Sequence, residues 1–324
     1  MEIFYLVLGL VILLLAGDAL VRGAVNLSLR VGIPALIVSL TVVAFGTSAP
    51  ELLISVNAVL KNVPGLALGN VVGSNTANVL LVLGIPALLS GIYMSDCDSK
   101  RSYLMMLAAS LLFIGLCFFG PLHWLHGLIL LAALALMLGE NFFAARKHRA
   151  DSRAAAAEAA DVEILEEADP HMPGWRIGLF LVLGLVGLPL GADILVDNAE
   201  IIARRFGVSD TVIGLTIVAL GTSLPELATT VMAGFRRQAD VALGNVIGSN
   251  MFNLLGIIGV AALFGKIPVD ESFLRFDLWV MLGASLILVP FVMYCRNITR
   301  AWGAALTAAY IVYVYFVVAG GVAA

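Results

Sequence analysis

Residues 41–56 read TVVAFGTSAPELLISV, and residues 216–231 read TIVALGTSLPELATTV. Each is an apolar run interrupted by Gly-Thr-Ser-x-Pro-Glu. The ionisable groups, Glu51 and Glu226, stand 175 positions apart. A carboxylate inside an apolar run is expensive in a bilayer and points to function, with a partner to be named. The natural partner of each glutamate is the other.

The same offset runs through much of the chain. Asp18 maps onto Asp193, Leu20 onto Leu195 and Gly32 onto Gly207. LGNVVGSNTANVL at 68–80 returns as LGNVIGSNMFNLL at 243–255, and Met106, Ala109 and Ser110 return as Met281, Ala284 and Ser285, all without a gap. Two homologous halves follow. They cover 1–145 and 174–324, joined by a polar connector at 146–173 whose Ala/Glu-rich middle favours a short solvated helix.

Hydrophobic residues make up 61% of the 324, charged residues only 12%, and mean hydropathy is +1.04. That balance excludes an ordinary soluble domain and defines an all-α polytopic membrane protein. Apolar runs of about twenty residues suffice to span a bilayer. They recur near 3–23, 34–59, 64–91, 102–120, 122–143, 175–199, 208–234, 240–265, 276–295 and 301–321. The opening MEIFYLVLGLVILLLAG lacks a basic region before its apolar stretch, so it reads as the first span rather than a cleaved signal. Ten spans split evenly, and five is odd. The second half therefore crosses the membrane in the opposite sense, which makes the architecture two inverted-topology five-helix repeats. In such folds the site lies near the midplane, where Gly/Pro-interrupted segments of the two halves meet.

With the N-terminus outside, all but five of the 18 Lys and Arg residues fall on the cytoplasmic side. The exceptions are Lys61, Arg204, Arg205, Lys266 and Arg275. The positive-inside rule thus favours both termini outside and the connector in the cytoplasm. No basic stripe interleaved with aromatics invites nucleic acid. The three cysteines and four histidines form no ligand-spaced set. The lipid bilayer is the expected surrounding, with no protein partner, no cofactor and no enzymatic chemistry.

The chemistry of the breaks follows from residue type. Pro50 and Pro225 have no N–H to donate to the carbonyls of Gly46 and Gly221. Carbonyls around Ala44–Gly46 and Ala219–Gly221 are expected to leave the helical ladder, and such backbone persists at membrane depth only when it lines a cavity or is buried in protein. Thr47 and Ser48 precede Glu51 by four and three residues and share its face, as Thr222 and Ser223 do for Glu226. Carboxylates, hydroxyls and carbonyls make an all-oxygen site. It suits Ca²⁺, which takes six to eight oxygens at about 2.3–2.6 Å, and also Na⁺, but not zinc or copper.

The second motif, GNxxGSNxxN, puts Asn70, Ser74 and Asn78 on one helical face, and Asn245, Ser249 and Asn253 on another. Ser74, Asn78, Ser249 and Asn253 favour ligation. Asn70, Asn75, Asn245 and Asn250 fit helix-to-helix adhesion equally well. Gly69 with Gly73, and Gly244 with Gly248, carry the GxxxG spacing of close helix approach. Asp18, Asp193 and Asp197 fit a structural role near a helix end better than an ion path.

These paired motifs resemble the α-repeats of the calcium:cation antiporter superfamily, in particular its prokaryotic calcium/sodium antiporters of the YrbG-like type. The resemblance implies a sodium/calcium exchanger fold of ten transmembrane helices in a bacterial cytoplasmic membrane, and Na⁺-driven Ca²⁺ exchange by alternating access. It makes Glu51 and Glu226 the shared Ca²⁺ carboxylates. Thr47 and Thr222 would offer backbone oxygens. Ser48, Ser223, Ser74 and Ser249, with carbonyls of Ala44 and Ala219, would complete Na⁺ sites, and Asn78 and Asn253 would flank the centre. Asn253 stands where some relatives carry Asp, potassium-dependent ones among them, which argues against a K⁺ requirement. Ca²⁺/H⁺ exchange within the same superfamily is the nearest alternative, followed by a cation channel. An intramembrane hydrolase using the glutamate pair would lack a Ser–His or zinc set within the spans.

Overall fold

A computed structural model describes residues 1–94, 99–156, 172–206, 219–271 and 273–322. Among them the chain is helical apart from turns and two single β-bridges. In chain order the helices are α1 (Glu2–Val31), α2 (Ala35–Thr47), α3 (Ala49–Leu60), α4 (Pro64–Ser90), α5 (Lys100–Phe118) and α6 (Trp124–Ala156). The second half holds α7 (Gly174–Arg205), α8 (Ala219–Thr222), α9 (Leu224–Phe235), α10 (Ala239–Phe264), α11 (Phe273–Val292) and α12 (Arg300–Val322).

Eight of these are long and apolar enough to cross a bilayer, and α2 with α3 forms a ninth span bent by 44°. The tenth span expected, near 208–234, has only its later part, α8 and α9, among the described residues. α6 runs on to Ala156, so the connector begins as an extension of the fifth span rather than as a separate helix. The connector's expected helical middle lies largely outside the described residues.

Local chemistry sets the boundaries. Gly32 adopts the left-handed conformation (φ 71°) that ends α1, its N–H reaching the carbonyls of Ser28 and Leu29. Pro34 then fixes an extended turn into α2. α4 and α10, which carry the GNxxGSNxxN motifs, are 78% and 83% buried within the protein. The most apolar windows of α1, α6, α7 and α12 are only 17–28% buried. The polar motifs therefore occupy the centre and the uniformly apolar helices face outward, as lipid requires.

α1 and α7 lie against each other along their lengths. Small residues allow it. A Cβ on Gly9 would fall 2.8 Å from the Leu195 nitrogen, and one on Gly184 would fall 2.5 Å from the Leu20 Cβ. These two contacts are repeat mates. The loops follow the same relation to within one residue: Ile92 pairs with Ile298 at one end of the bundle, while its mate Ile267 pairs at the other with Leu122, the neighbour of Ile298's mate His123.

Candidate ion-binding site

The two breaks share one geometry. Ser48 (φ −86°, ψ 4°) ends α2 and opens α3, and Ser223 (φ −91°, ψ 4°) does so between α8 and α9. Each proline sits in the first turn of the new helix, where its missing N–H does no harm, and each glutamate follows it in that turn. The interruption falls later than the sequence suggested. The Ala44 carbonyl still accepts from the Ser48 N–H at 3.0 Å and from the Thr47 hydroxyl at 3.3 Å. For that carbonyl to face an ion, the Thr47 hydroxyl must turn aside.

Glu51 and Glu226 are each only 1% exposed, within electrostatic reach of each other. Ser48, from Glu51's half, donates its hydroxyl to Glu226 Oε1 at 3.1 Å. That bond joins the two breaks across the centre of the molecule. Glu51 Oε2, Glu226 Oε2, Ser223 Oγ, Asn78 Oδ1 and Asn253 Oδ1 are buried with no hydrogen-bond partner. Buried acceptors are normally satisfied. Five that are not, with Asn75 Oδ1 a sixth, all lie within the two repeated motifs, and oxygens of this kind suit a hard cation.

The neutral residues hold this arrangement. Asn70 donates its amide to the Glu51 carbonyl (3.4 Å) and to Ser55 Oγ (3.1 Å), while its Oδ1 accepts from Thr222 (3.5 Å). Asn245 does the same in the other half. It donates to the Glu226 carbonyl (3.3 Å) and Thr230 Oγ1 (3.1 Å), and accepts from Thr47 (3.3 Å). Each asparagine thus fixes its own half's glutamate and the opposite half's threonine. Thr47 also meets Ser249 at 3.5 Å, and Ser74 is buried at the mate of that position.

Asn75 and Asn250 exchange amide-to-carbonyl bonds at 3.3 and 3.4 Å and bind α4 to α10, an adhesive role. Asn78 and Asn253 lie in π-helical turns, Asn78–Val82 and Phe252–Ile257, that interrupt α4 and α10. Such turns often mark functional positions. Asn78 donates to Asn250 Oδ1 at 3.0 Å, yet the mirror bond from Asn253 to Asn75 is not made, and both of its atoms lack partners. Ala219 opens α8 directly beside residues outside the described set. Sequence reasoning missed the supports Ser55 and Thr230; their only signal was a hydroxyl four residues after each glutamate.

Removing one support has a defined consequence. In Asn245→Ala the Glu226 carbonyl, Thr230 and Thr47 each lose one hydrogen bond and keep another, Thr230 to the Glu226 carbonyl at 2.7 Å and Thr47 to the Ala44 carbonyl at 3.3 Å, so the cost is about 0.5–1.5 kcal/mol per lost bond. We expect apparent Ca²⁺ affinity to fall about tenfold or more, read from the Ca²⁺ dependence of uptake, with the protein still folded.

Inverted halves, each contributing a broken span and one buried carboxylate to a shared oxygen site, define a membrane cation carrier of the inverted-repeat type. The chain belongs to the sodium/calcium exchanger protein family, whose match covers residues 1–142 and 177–319 and leaves out the connector. It is 35% identical to a putative antiporter, CaxA, of Alkalimonas amylolytica, over 96% of this chain and 97% of that one. It is 34% identical to the inner membrane protein YrbG of Escherichia coli (strain K12), over 95% and 94%. In three dimensions it resembles the sodium-calcium exchanger NCX_Mj from crystals soaked with 10 mM Na⁺ and 10 mM Sr²⁺, with a TM-score of 0.81 and 31% identity over 97% of each chain.

Proposed function

We infer that the protein is a secondary antiporter that exchanges Ca²⁺ for Na⁺, its ions competing for one central site. The observation that carries this reading is the pair of buried glutamates bridged by Ser48 and flanked by unpartnered oxygens. Ionised, the two acids give an empty site a formal charge of −2. One Ca²⁺ cancels it, and so do two Na⁺; a third Na⁺ would make the cycle electrogenic, at about 2.3 kcal/mol per charge per 100 mV. Glu51 and Glu226 bind Ca²⁺, aided by Thr47 and Thr222. Ser48, Ser223, Ser74, Ser249 and the carbonyls of Ala44 and Ala219 complete Na⁺ positions, with Asn78 and Asn253 at the centre. Because both ions need the same carboxylates, full loading with one excludes the other, which is the condition for exchange. Family membership and the named relatives support the choice of ions.

The proposed setting is a bacterial cytoplasmic membrane, with both termini outside and the 146–173 connector inside. The distribution of basic residues and the E. coli relative's description as an inner membrane protein support it. The decisive experiment is ⁴⁵Ca²⁺ flux into proteoliposomes under imposed gradients. Uptake that requires internal Na⁺ and saturates is expected. Uptake driven by a pH gradient without Na⁺ would assign the counter-ion to H⁺ instead, and flux with no counter-ion would mean a channel.

A further inference from the structure

We propose that two ion pairs, made one at a time on opposite sides of the ion site, lock the two access states. Asp18 with Arg236 locks the state described here; Asp193 with Lys61 locks the other. The proposal rests on reading the protein as an alternating-access antiporter and adds the groups that hold each state.

Arg236 follows the last residue of α9, and Lys61 is its repeat mate after α3. Their backbones agree closely (φ −86°, ψ 6° and φ −85°, ψ 8°), and each is followed by a left-handed residue, Arg237 (φ 54°) or Asn62 (φ 60°). Asp18 on α1 and Asp193 on α7 are likewise mates. The two pairs therefore occupy equivalent places at opposite ends of an inverted molecule.

Their present states differ. Asp18 Oδ1 accepts from Arg236 Nε at 2.5 Å, and Asp18 Oδ2 lies 3.0 Å from Arg22 Nε. Arg236 is only 14% exposed. Beside Asp18 the two helices are in contact: a Cβ on the adjacent Gly17 would sit 2.9 Å from the carbonyl oxygen of Ala228, on α9 before Arg236. This end is shut, α1 against α9. At the other end Asp193 has no hydrogen bond or ion pair among the described residues, and Lys61 is exposed and likewise unpaired. Between α7, α3 and the break joining α8 to α9 lies a cavity of about 120 Å³ whose wall includes Asp193, Val196, Pro50, Ile54, Thr222 and Ala192, the mate of Gly17. Leu53, the mate of Ala228, is 65% exposed. Equivalent residues are packed at one end and parted at the other.

In an inverted-repeat carrier the opposite access state arises as one repeat moves against the other around a fixed site. Exchange of conformations between the halves brings Asp193 to Lys61 as Asp18 now meets Arg236. The locks are unequal. Arg22 is replaced at its mate by Asp197, so the first lock has two arginines for one carboxylate, the second one lysine for two. Arginine's forked, pre-organised donors hold a carboxylate better than a lysine ammonium does. The state described here is therefore the favoured one.

The test uses the purified full-length protein with Val196→Cys on the cavity wall as a reporter for a water-soluble maleimide, the unmodified protein giving the background. Asp18→Asn should slow its labelling about twofold, because losing a part-exposed ion pair shifts the equilibrium about fivefold and the accessible state starts as the majority. Adding Lys61→Gln to Asp18→Asn should return the rate toward that of the reporter alone, because neither lock then remains. An unchanged rate in Asp18→Asn, or slowing that Lys61→Gln does not relieve, overturns the proposal. A second measurement does not depend on Asp18: in Lys61→Cys with Asp193→Cys, a bifunctional methanethiosulfonate about as long as a lysine side chain, needed because a direct disulfide closes only when the Cα atoms lie within about 7 Å, should join the two thiols and arrest exchange until reductant is added. Failure to join overturns the proposal as well. Na⁺-dependent Ca²⁺ uptake by the unmodified protein in vesicles tests the exchange reading separately, so either reading can fail alone.

Discussion

Glu51→Gln is expected to abolish Na⁺-dependent Ca²⁺ uptake in proteoliposomes, and Glu226→Gln to do the same. The substitution keeps the shape and one oxygen and removes only a charge. In a site shielded from water that charge is the main attraction for a divalent ion. Losing half of it is expected to weaken Ca²⁺ binding at least a hundredfold, about 3 kcal/mol. Glu226→Gln also changes the acceptor of the Ser48 bond from a carboxylate to an amide oxygen, roughly halving that bond's strength. The double substitution should be scarcely worse than either single one, since the two acids act as a unit and their effects do not add. Uptake at the unmodified protein's rate in either single variant would remove that glutamate from the site.

Gly248→Val is expected to remove transport by a different route, with a loss of thermal stability as well. A Cβ at Gly248 would lie 2.6 Å from the Ala44 Cβ, 2.7 Å from the Leu40 carbonyl oxygen and 2.9 Å from the Leu40 Cα. Two of those atoms are backbone and cannot swing aside, so α10 must withdraw from α2. Overpacking of this kind costs about 1–3 kcal/mol and sometimes more. Withdrawal carries Ser249 and Asn245 away from Thr47, which they now meet at 3.5 and 3.3 Å. Gly139→Val on the outward-facing α6 is the control: nothing lies within 4 Å of its Cβ position. The melting temperature should fall clearly for Gly248→Val and little for Gly139→Val. Equal melting temperatures for the two would mean that α10 does not need to lie so close to α2.

Most of the architecture was legible because it was written twice. A carboxylate after Gly-Thr-Ser-x-Pro is ambiguous once, but its return 175 positions later, in a half read as five spans, pointed to both the inversion and the pairing of Glu51 with Glu226. Hydroxyls at Thr47 and Ser48 could be put on Glu51's face by helical spacing alone. Spacing could not say to which half each side chain would reach. Ser48 binds the opposite glutamate, and Asn70 and Asn245 each bridge both halves, because the fold makes neighbours of residues remote in sequence. The π-helical turns at Asn78 and Phe252 were equally hidden, since an extra residue in a helical turn leaves no mark in an apolar pattern. The Ala44 carbonyl was misjudged for a simpler reason: proline removes a donor from the carbonyl four residues back, at Gly46, and leaves earlier ones bonded.

The restart of each broken span at Ala49 and Leu224 has one more effect. Two helices begin at the centre, with Glu51 and Glu226 in their first turns. A helix start carries a partial positive charge, worth about 0.3–1 kcal/mol to a nearby anion and up to about 2 in a secluded place. The protein thereby supplies part of the counter-charge that the cargo would otherwise provide. An ion departing from between these helix starts leaves behind less naked charge, so unloading is faster and the grip looser than two bare acids would give. A carrier that must let go on every turnover is served better by that moderation than by the tightest possible hold.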